Sequence, residues 1–287
     1  DLDAVDMFFM GNGLAINDPN SGYDETGFGA VENHCYDPDY KDKKTDQNIS
    51  NMYANREPRF YASVVYQGRS WFKKWMNGNP NYIVDFSAGG GNDLSNGDNV
   101  KTGYMLGKFK NRTVNHASGD TQSWKRVSII YRLAEFYLFY AEALNETDPS
   151  NPDIIKYIDM VRERAGIPGY QTMNDNGIKT GIIGNYDKQF DAIQHERYVE
   201  LYCEGQRYFD IRRWMICGDK DRIGCDQTRF YGMNMKGSKD KTPGEPTSYY
   251  TRTKVENRQW TDKLYLYPIH QNVIELANGR IPQNYGW

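Results

Sequence analysis

The sequence predicts a mainly α fold, in which a helical hairpin and further helices are joined by long irregular loops and a few short β-strands. Three observations carry this. Residues 126–165 hold two stretches of helical periodicity separated by a short polar link, a third runs through residues 188–214, and the flanking segments are dense in Gly, Asn, Asp and Pro.

The first helix is read in RVSIIYRLAEFYLFYAEALNE (126–146). Ile130, Leu133, Ala134, Tyr137, Leu138, Ala141 and Leu144 fall there at steps of three and four. The link TDPSNPD is rich in cap-forming residues. The second helix, 153–165, carries Ile154, Ile155, Ile158 and Val161 on one face and stops at Gly166-Ile167-Pro168. So short a link makes the pair an antiparallel αα-hairpin. Small Ala134, Ala141 and Ala143 allow close approach of the kind seen in tetratricopeptide-like units. One such pair does not close a core, because helical repeats need about three neighbours to do so. The third helix is expected from Lys188 to Cys203, restarting after Gly205.

The remaining chain divides around these helices. Residues 1–125 form a loop-rich region with short strands, 126–215 the helical region, and 216–287 a second loop-rich region. INDPNSGYDETGFG (16–29) and SAGGGNDLSNGDN (87–99) are turn segments. Between them REPRFYASVVYQG (56–68) alternates through Phe60, Val64, Val65 and Tyr66 as a strand does, with a turn starting at Gln67-Gly68. The ending LYLYPIHQNVIELANGRIPQNYGW reads as a short strand, a brief helix after Pro268, a stop at Asn278-Gly279 and an irregular tail.

Composition narrows the function classes. The chain has 287 residues and a formal net charge of −3, which gives no reason to expect nucleic acid or an anionic membrane as partner. It contains no apolar run long enough to span a bilayer. Aromatic residues make up 14%, with 23 Tyr and 6 Trp, against a mean hydropathy of −0.83. A polar chain so rich in rings suits large amphipathic ligands such as sugars, whose C–H patches stack on ring faces. Half-buried anchoring explains any single Tyr equally well. Cys35, Cys203, Cys217 and Cys225 show no metal-binding spacing with His34, His116, His195 or His270. Cys217 and Cys225 are close enough in sequence to pair, and free thiols fit as well.

One segment combines many charges with many rings: ERYVELYCEGQRYFDIRRW (196–214), with eight charged residues among nineteen. On a continuous helix Glu196, Glu200, Glu204 and Arg207 share one stripe, flanked by Arg197. A carboxylate pair for glycoside hydrolysis must face itself across a sugar, whereas these carboxylates point the same way along one cylinder. The favoured reading is a structural ion-pair network with Arg132, Glu135, Arg162 and Arg164 of the hairpin, in which the near balance of sign offsets the cost of burial. Gly205 then lets Tyr208, Phe209 and Trp214 fold back as a cover.

This same segment resembles the hallmark of the SusD/RagB family of outer-membrane glycan-capture lipoproteins. Further segments are similar to that family's pattern in the same order: DAVDMFFMGNGLAINDPNSGYD, NREPRFYASVVYQG, YRLAEFYLFYAEALNE (131–146), IDMVRERAGIP (158–168) and LYPIHQNVIELANGRIPQNYGW (266–287). His270 stands where the family usually has proline, and Asn278-Gly279 carries the late asparagine turn. Family members are roughly twice this length, so the resemblance implies a C-terminal half. Signal peptide, lipid-modified cysteine and most tetratricopeptide helices would lie in a missing N-terminal half, and one helical face here would pack on it.

The resemblance implies a non-catalytic binding protein on the cell surface of a Gram-negative, Bacteroidota-type bacterium, partnered with a SusC-like TonB-dependent transporter. The nutrient would be a glycan, with peptides or another nutrient as the alternative within the family and a glycoside hydrolase as the alternative outside it. No family motif marks the contacts, so candidates come from local chemistry: Tyr36 and Tyr40 in HCYDPDYKDKK, Trp71, Trp75 and Tyr82 in QGRSWFKKWMNGNPNY, and Tyr249 with Tyr250. Trp71 equally suits packing under the preceding strand. No cofactor is expected. Asp18, Asn20, Asp24 and Glu25, and separately Asp93, Asn96 and Asp98, are oxygen-rich but lack the EF-hand spacing that would support calcium.

Overall fold

A computed structural model of the chain describes residues 2–35, 44–72, 82–97, 99–113, 129–219 and 230–287. Its helical layer is built on α3 (Leu133–Thr147), α4 (Asp153–Arg164) and α6 (Tyr186–Glu200), with α3 packed on both of the others. α4 buries Ile154, Ile155, Ile158 and Val161, the expected stripe. Gly166 ends it at φ +85°, where Ile167 N–H donates to the Arg162 carbonyl at 3.1 Å and Gly166 N–H to that of Glu163 at 3.0 Å. That pair of bonds satisfies the last carbonyls, and the left-handed position favours glycine. α5 (Tyr170–Asp175) follows. α6 starts two residues earlier than its periodicity predicts, because the Asn185 side chain accepts the Lys188 N–H at 3.1 Å and caps the first turn. It ends at Glu200, and Gly205 at φ +88° opens α7 (Gln206–Arg213).

α3 departs from the expected pattern. Residues 129–132 are not helical, and residues 126–128 lie outside the described part. The buried face carries Glu135, Leu138, Ala141, Glu142 and Asn145. Leu133 (63% exposed), Phe136 (55%) and Tyr140 (46%) face outward. A helix apolar on its outer side and partly charged on its inner side has its polarity set by something other than water alone.

The loop-rich remainder carries short elements. α1 (Leu2–Asp6) precedes β1 (Phe28–Asn33) and β2 (Lys44–Ser50), which pair antiparallel with an irregularity between Gly29 and Val31. The segment expected as a strand across 56–68 is instead α2 (Pro58–Ser63), followed by β3 (Val64–Val65) paired with β4 (Met105–Leu106). Pro58 occupies the first helical turn after an extended Glu57, where its missing N–H costs nothing. β5 (Tyr231–Met233) and β6 (Arg252–Lys254), in a segment read as loop, form a third antiparallel pair. The expected strand in LYLY is a short 3₁₀ turn over Asp262–Tyr265. α8 (Gln271–Leu276) starts behind His270 and ends before Asn278 (φ +49°) and Gly279 (φ +78°), as the sequence predicts.

Two apolar cores result. One is helical and centres on Leu138, Ile154, Ile158 and Ile193. The other is aromatic: Tyr53 stacks on Tyr66 at 4.5 Å, with Phe60 5.5 Å from Tyr66. It draws Met233, Met235, Tyr249 and Tyr250 from the second loop-rich region in beside Phe8, so both loop regions share it. Ile167 and Val199 belong to the aromatic core although they adjoin the helices, whereas Leu14 belongs to the helical one. Ile158 is fully buried in the helical core. Ile158→Ala is expected to destabilise the chain by about 2–5 kcal/mol, read as a lower denaturation midpoint with an unchanged slope.

Candidate functional site: a buried charge clamp and an adjoining groove

The carboxylates of ERYVELYCEG meet cations from four other segments. Arg59 of α2 donates through Nη1 to Glu196 Oε1 at 2.5 Å and Glu200 Oε2 at 2.9 Å, and through Nε to Glu57 Oε2 at 2.6 Å. Glu57 Oε1 accepts the Phe9 N–H at 2.8 Å. Arg162 of α4 lies 3.4 Å from Glu196 and donates to the carbonyls of Gly13 at 2.8 Å and Pro168 at 3.0 Å. Arg132 binds Glu200 and reaches Glu204 at 2.7 Å. Arg164 reaches Glu200 at 2.5 Å, and Lys108 reaches Glu204 at 2.5 Å. Glu57 and Glu196 side chains are wholly buried. The clamp therefore ties α2 and the loop after β4 to the helices, joining the two cores.

Membership of the network differs from the sequence expectation in three places. Arg197 turns away from it and makes a bidentate pair with Asp210, at 2.9 and 3.0 Å. Arg207 opens α7 after the bend at Gly205, so it leaves the helical stripe and stacks on Tyr198 at 4.2 Å. Glu135 is buried, and burial pushes its carboxyl up, but it makes no ion pair among the described residues. Arg59, Glu57 and Lys108 are the members that sequence reading missed. The signal for Glu57 and Arg59 was the charge pattern of NREPRF, which becomes visible as part of the clamp only once α2 is known to face α6; Lys108, in the loop after β4, has no such signal.

α7 locks back in the same way. Asp210 also accepts from Arg213 at 3.0 Å, Arg213 binds Glu142 of α3, and Trp214 Nε1 donates to Glu142 at 2.7 Å. Trp214 thus folds back as expected. Phe209 does not: it is largely exposed, and Tyr208 pairs with Tyr267 of the tail.

Among the described residues, the aromatic candidates Trp71, Tyr82, Tyr249 and Tyr250 do not gather into one platform. Trp71 is buried against Phe72, with ring centroids 4.7 Å apart. Tyr249 and Tyr250, named as binding candidates, are buried: Tyr249 Oη donates to the Gly103 carbonyl at 2.8 Å, and Tyr250 packs edge-on against Phe28. Their ring faces are part of the core and unavailable for stacking. Tyr82 is exposed. Tyr36, Tyr40 and Trp75 lie outside the described residues, as do Asp98 and Cys225. Among the oxygen-rich groups, Asp18 holds Lys179 at 2.6 Å, Asp24 accepts from Thr26 and Asn51, Glu25 binds Arg252, and Asp93 accepts from Ser95.

Beside the clamp a groove of about 720 Å³ runs between the 13–20 loop and residues 170–195, adjoining a smaller cavity of about 170 Å³. They share Ala15, Asn17, Asp191 and His195. His195 stacks on Phe9 at 4.1 Å and bonds the Met7 carbonyl through Nε2 at 2.5 Å.

The sequence profile of the SusD family matches residues 1–287. The chain belongs to that family. Among solved structures, the selenomethionine form of BT4246 superposes with a TM-score of 0.73 at 25% identity, covering 100% of this chain and 45% of that one. A SusD-like protein of Bacteroides fragilis NCTC 9343, BF3747, gives 0.70 at 27% identity, covering 99% of this chain and 46% of its own. A stretch of 82 residues, 29% of this chain, is 37% identical to SusD-like protein P2 of Formosa agariphila and covers 16% of it. This SusD-family chain spans less than half the length of those solved relatives. Their helix-rich, strand-poor architecture is the one described above.

Two measurements test the clamp. Glu200→Ala leaves the guanidinium groups of Arg59, Arg132 and Arg164 without a shared acceptor and is expected to cost about 3–5 kcal/mol by denaturant unfolding. A loss under about 1 kcal/mol contradicts the clamp's role. Stability should also fall with acid in two windows. Burial holds the His195 pKa down to about 4 from the ordinary 6.5, so the unfolded chain protonates first and stability drops as pH falls from 6.5 to 4. Burial pushes Glu200 up, but Arg59, Arg132 and Arg164 outweigh it and leave about 2 against the ordinary 4.5. Its contribution is complete above 4.5 and lost as pH falls through 2. His195→Gln should flatten only the upper window of a pH series of denaturation midpoints.

Proposed function

We propose that this chain is part of a surface protein that captures glycans and delivers them, without catalysis, to a SusC-like TonB-dependent transporter in the outer membrane. Family membership across the whole chain is the observation that carries this reading. The lipid anchor, and further helices that cover the outward face of α3, belong in this proposal to the portion of the relatives that this chain does not span. Phe136, Tyr140 and Leu133 form that face, and its apolar character suits a packed helix better than water. Among the described residues, no helix is long and apolar enough to cross a membrane.

The chemistry of the chain supports binding over hydrolysis at the ERYVELYCEG stripe. Its carboxylates are consumed by guanidinium and ammonium groups inside the protein and do not face each other across a cleft. Asp6, on the wall of the small cavity, is pushed up by burial but is held by Arg252 at 2.6 Å. Glycan capture needs only weak contacts repeated along a polymer, since linked sites multiply one another's effect.

Native affinity gels cast with a panel of polysaccharides test the proposal. The chain would be run alone and together with the remaining portion of the protein. Retardation by at least one polysaccharide is expected. Retardation only of the mixture places the site across both portions. Passage through every polysaccharide lane, with binding to mixed peptides, overturns the glycan reading in favour of peptide capture.

A further inference from the structure

The groove beside the clamp has features of a built site. Its volume of about 720 Å³ falls in the range of about 300–1,000 Å³ typical of small-ligand sites. Its walls are fixed by hydrogen bonds within the protein. Met10 N–H donates to the Leu14 carbonyl at 2.9 Å, Asn12 Nδ2 to the Ser21 carbonyl at 3.1 Å, and Arg162 to the Gly13 carbonyl at 2.8 Å. The Lys179–Asp18 ion pair, 2.6 Å long, straps the loop to the segment after α5. Such a wall loses little freedom when a ligand arrives.

The lining also defines a ligand class. Ala15, Pro19 and Ile178 give an accessible apolar floor over the buried Leu14, Met173 and Ile182. Asn17, Asn20 and Thr180 stand exposed on the rim, and their side chains make no hydrogen bond among the described residues. An amide donates and accepts at once, as a hydroxyl does, so these groups match alcohol hydroxyls rather than a single charge. The charges at the mouth balance: Asp18 holds Lys179, and Lys188 and Asp191 lie one turn apart on α6. His195 is neutral there at ordinary pH. Among the described residues no strand lines the groove, so an extended peptide finds no edge there on which to add a strand.

We propose that this groove is a saccharide subsite for neutral sugars, with Asn17, Asn20 and Thr180 bonding the hydroxyls and the apolar floor taking a C–H face. The proposal rests on the glycan-capture reading and gives it a location on this chain.

Titration calorimetry of the full-length protein against neutral gluco-, manno-, xylo- and galacto-oligosaccharides tests it. Two variants are compared with the wild type. Thr180→Trp fills the mouth, and the double variant Asn17→Ala/Asn20→Ala removes the rim amides without adding bulk. The expected result is binding of at least one oligosaccharide by the wild type and a Kd raised about tenfold or more in Thr180→Trp. The amide variant should raise Kd by about three- to tenfold with an unchanged thermal midpoint, and it decides the matter if Thr180→Trp misfolds. Wild-type binding that survives unchanged in the folded variants overturns the groove assignment and leaves glycan capture standing. No binding by the wild type overturns the neutral-sugar subsite, and the polysaccharide gels then decide glycan capture separately.

Discussion

Everything else in this molecule depends on how Glu196, Glu200 and Glu204 are neutralised. Three carboxylates at the end of a buried helix are tolerable only when each is matched, because an unpaired buried charge costs several kcal/mol. The partners come from distant segments: Arg59 from α2, Arg132 ahead of α3, Arg162 and Arg164 from α4, Lys108 from the loop after β4. Neutralising α6 therefore requires the loop-rich region and the hairpin to meet at one place. An apolar contact of the same area would bring them together without fixing their register. Directed hydrogen bonds from guanidinium forks do fix it.

That convergence shapes the neighbourhood. Arg162 spans the clamp and the groove, since one nitrogen faces Glu196 while another holds the Gly13 carbonyl in the groove wall. At Gly13, with φ +81°, an added Cβ would stand 2.8 Å from Arg162 Nη2, so glycine is required for the arginine to reach that carbonyl. Stability and the shape of the proposed subsite are thus coupled through one side chain. Asp210 and Glu142 perform the parallel task for α7, which explains why DIRRW follows the clamp so closely in sequence.

The helices were legible because their signals are local. The isoleucines of α4, its Gly166 stop and the break at Gly205 can be read from neighbouring residues, and the structure places them accordingly. Most of the clamp was legible as well, with Arg59, Glu57 and Lys108 the exceptions, since a charge-balanced ring-rich segment beside an arginine-bearing hairpin suits an ion-pair network. What failed was non-local. Phe60, Val64 and Val65 alternate like a strand, but Pro58 and the pairing of Arg59 with α6 impose a helical turn. Tyr249 and Tyr250 sit in a polar segment, yet β5–β6 pairing draws them under Phe28 and Gly103. The groove has no sequence signature, because its rim joins residues about 160 positions apart, as the Lys179–Asp18 strap shows.

Arg59 and the α6 carboxylates act as a unit that joins the two cores. A double-mutant cycle of Arg59→Met and Glu196→Gln, read by denaturant unfolding, tests it most directly. A coupling energy of about 2 kcal/mol or more is expected, in the upper part of the range for residues in contact. Additive losses, with coupling below about 0.5 kcal/mol, would contradict it.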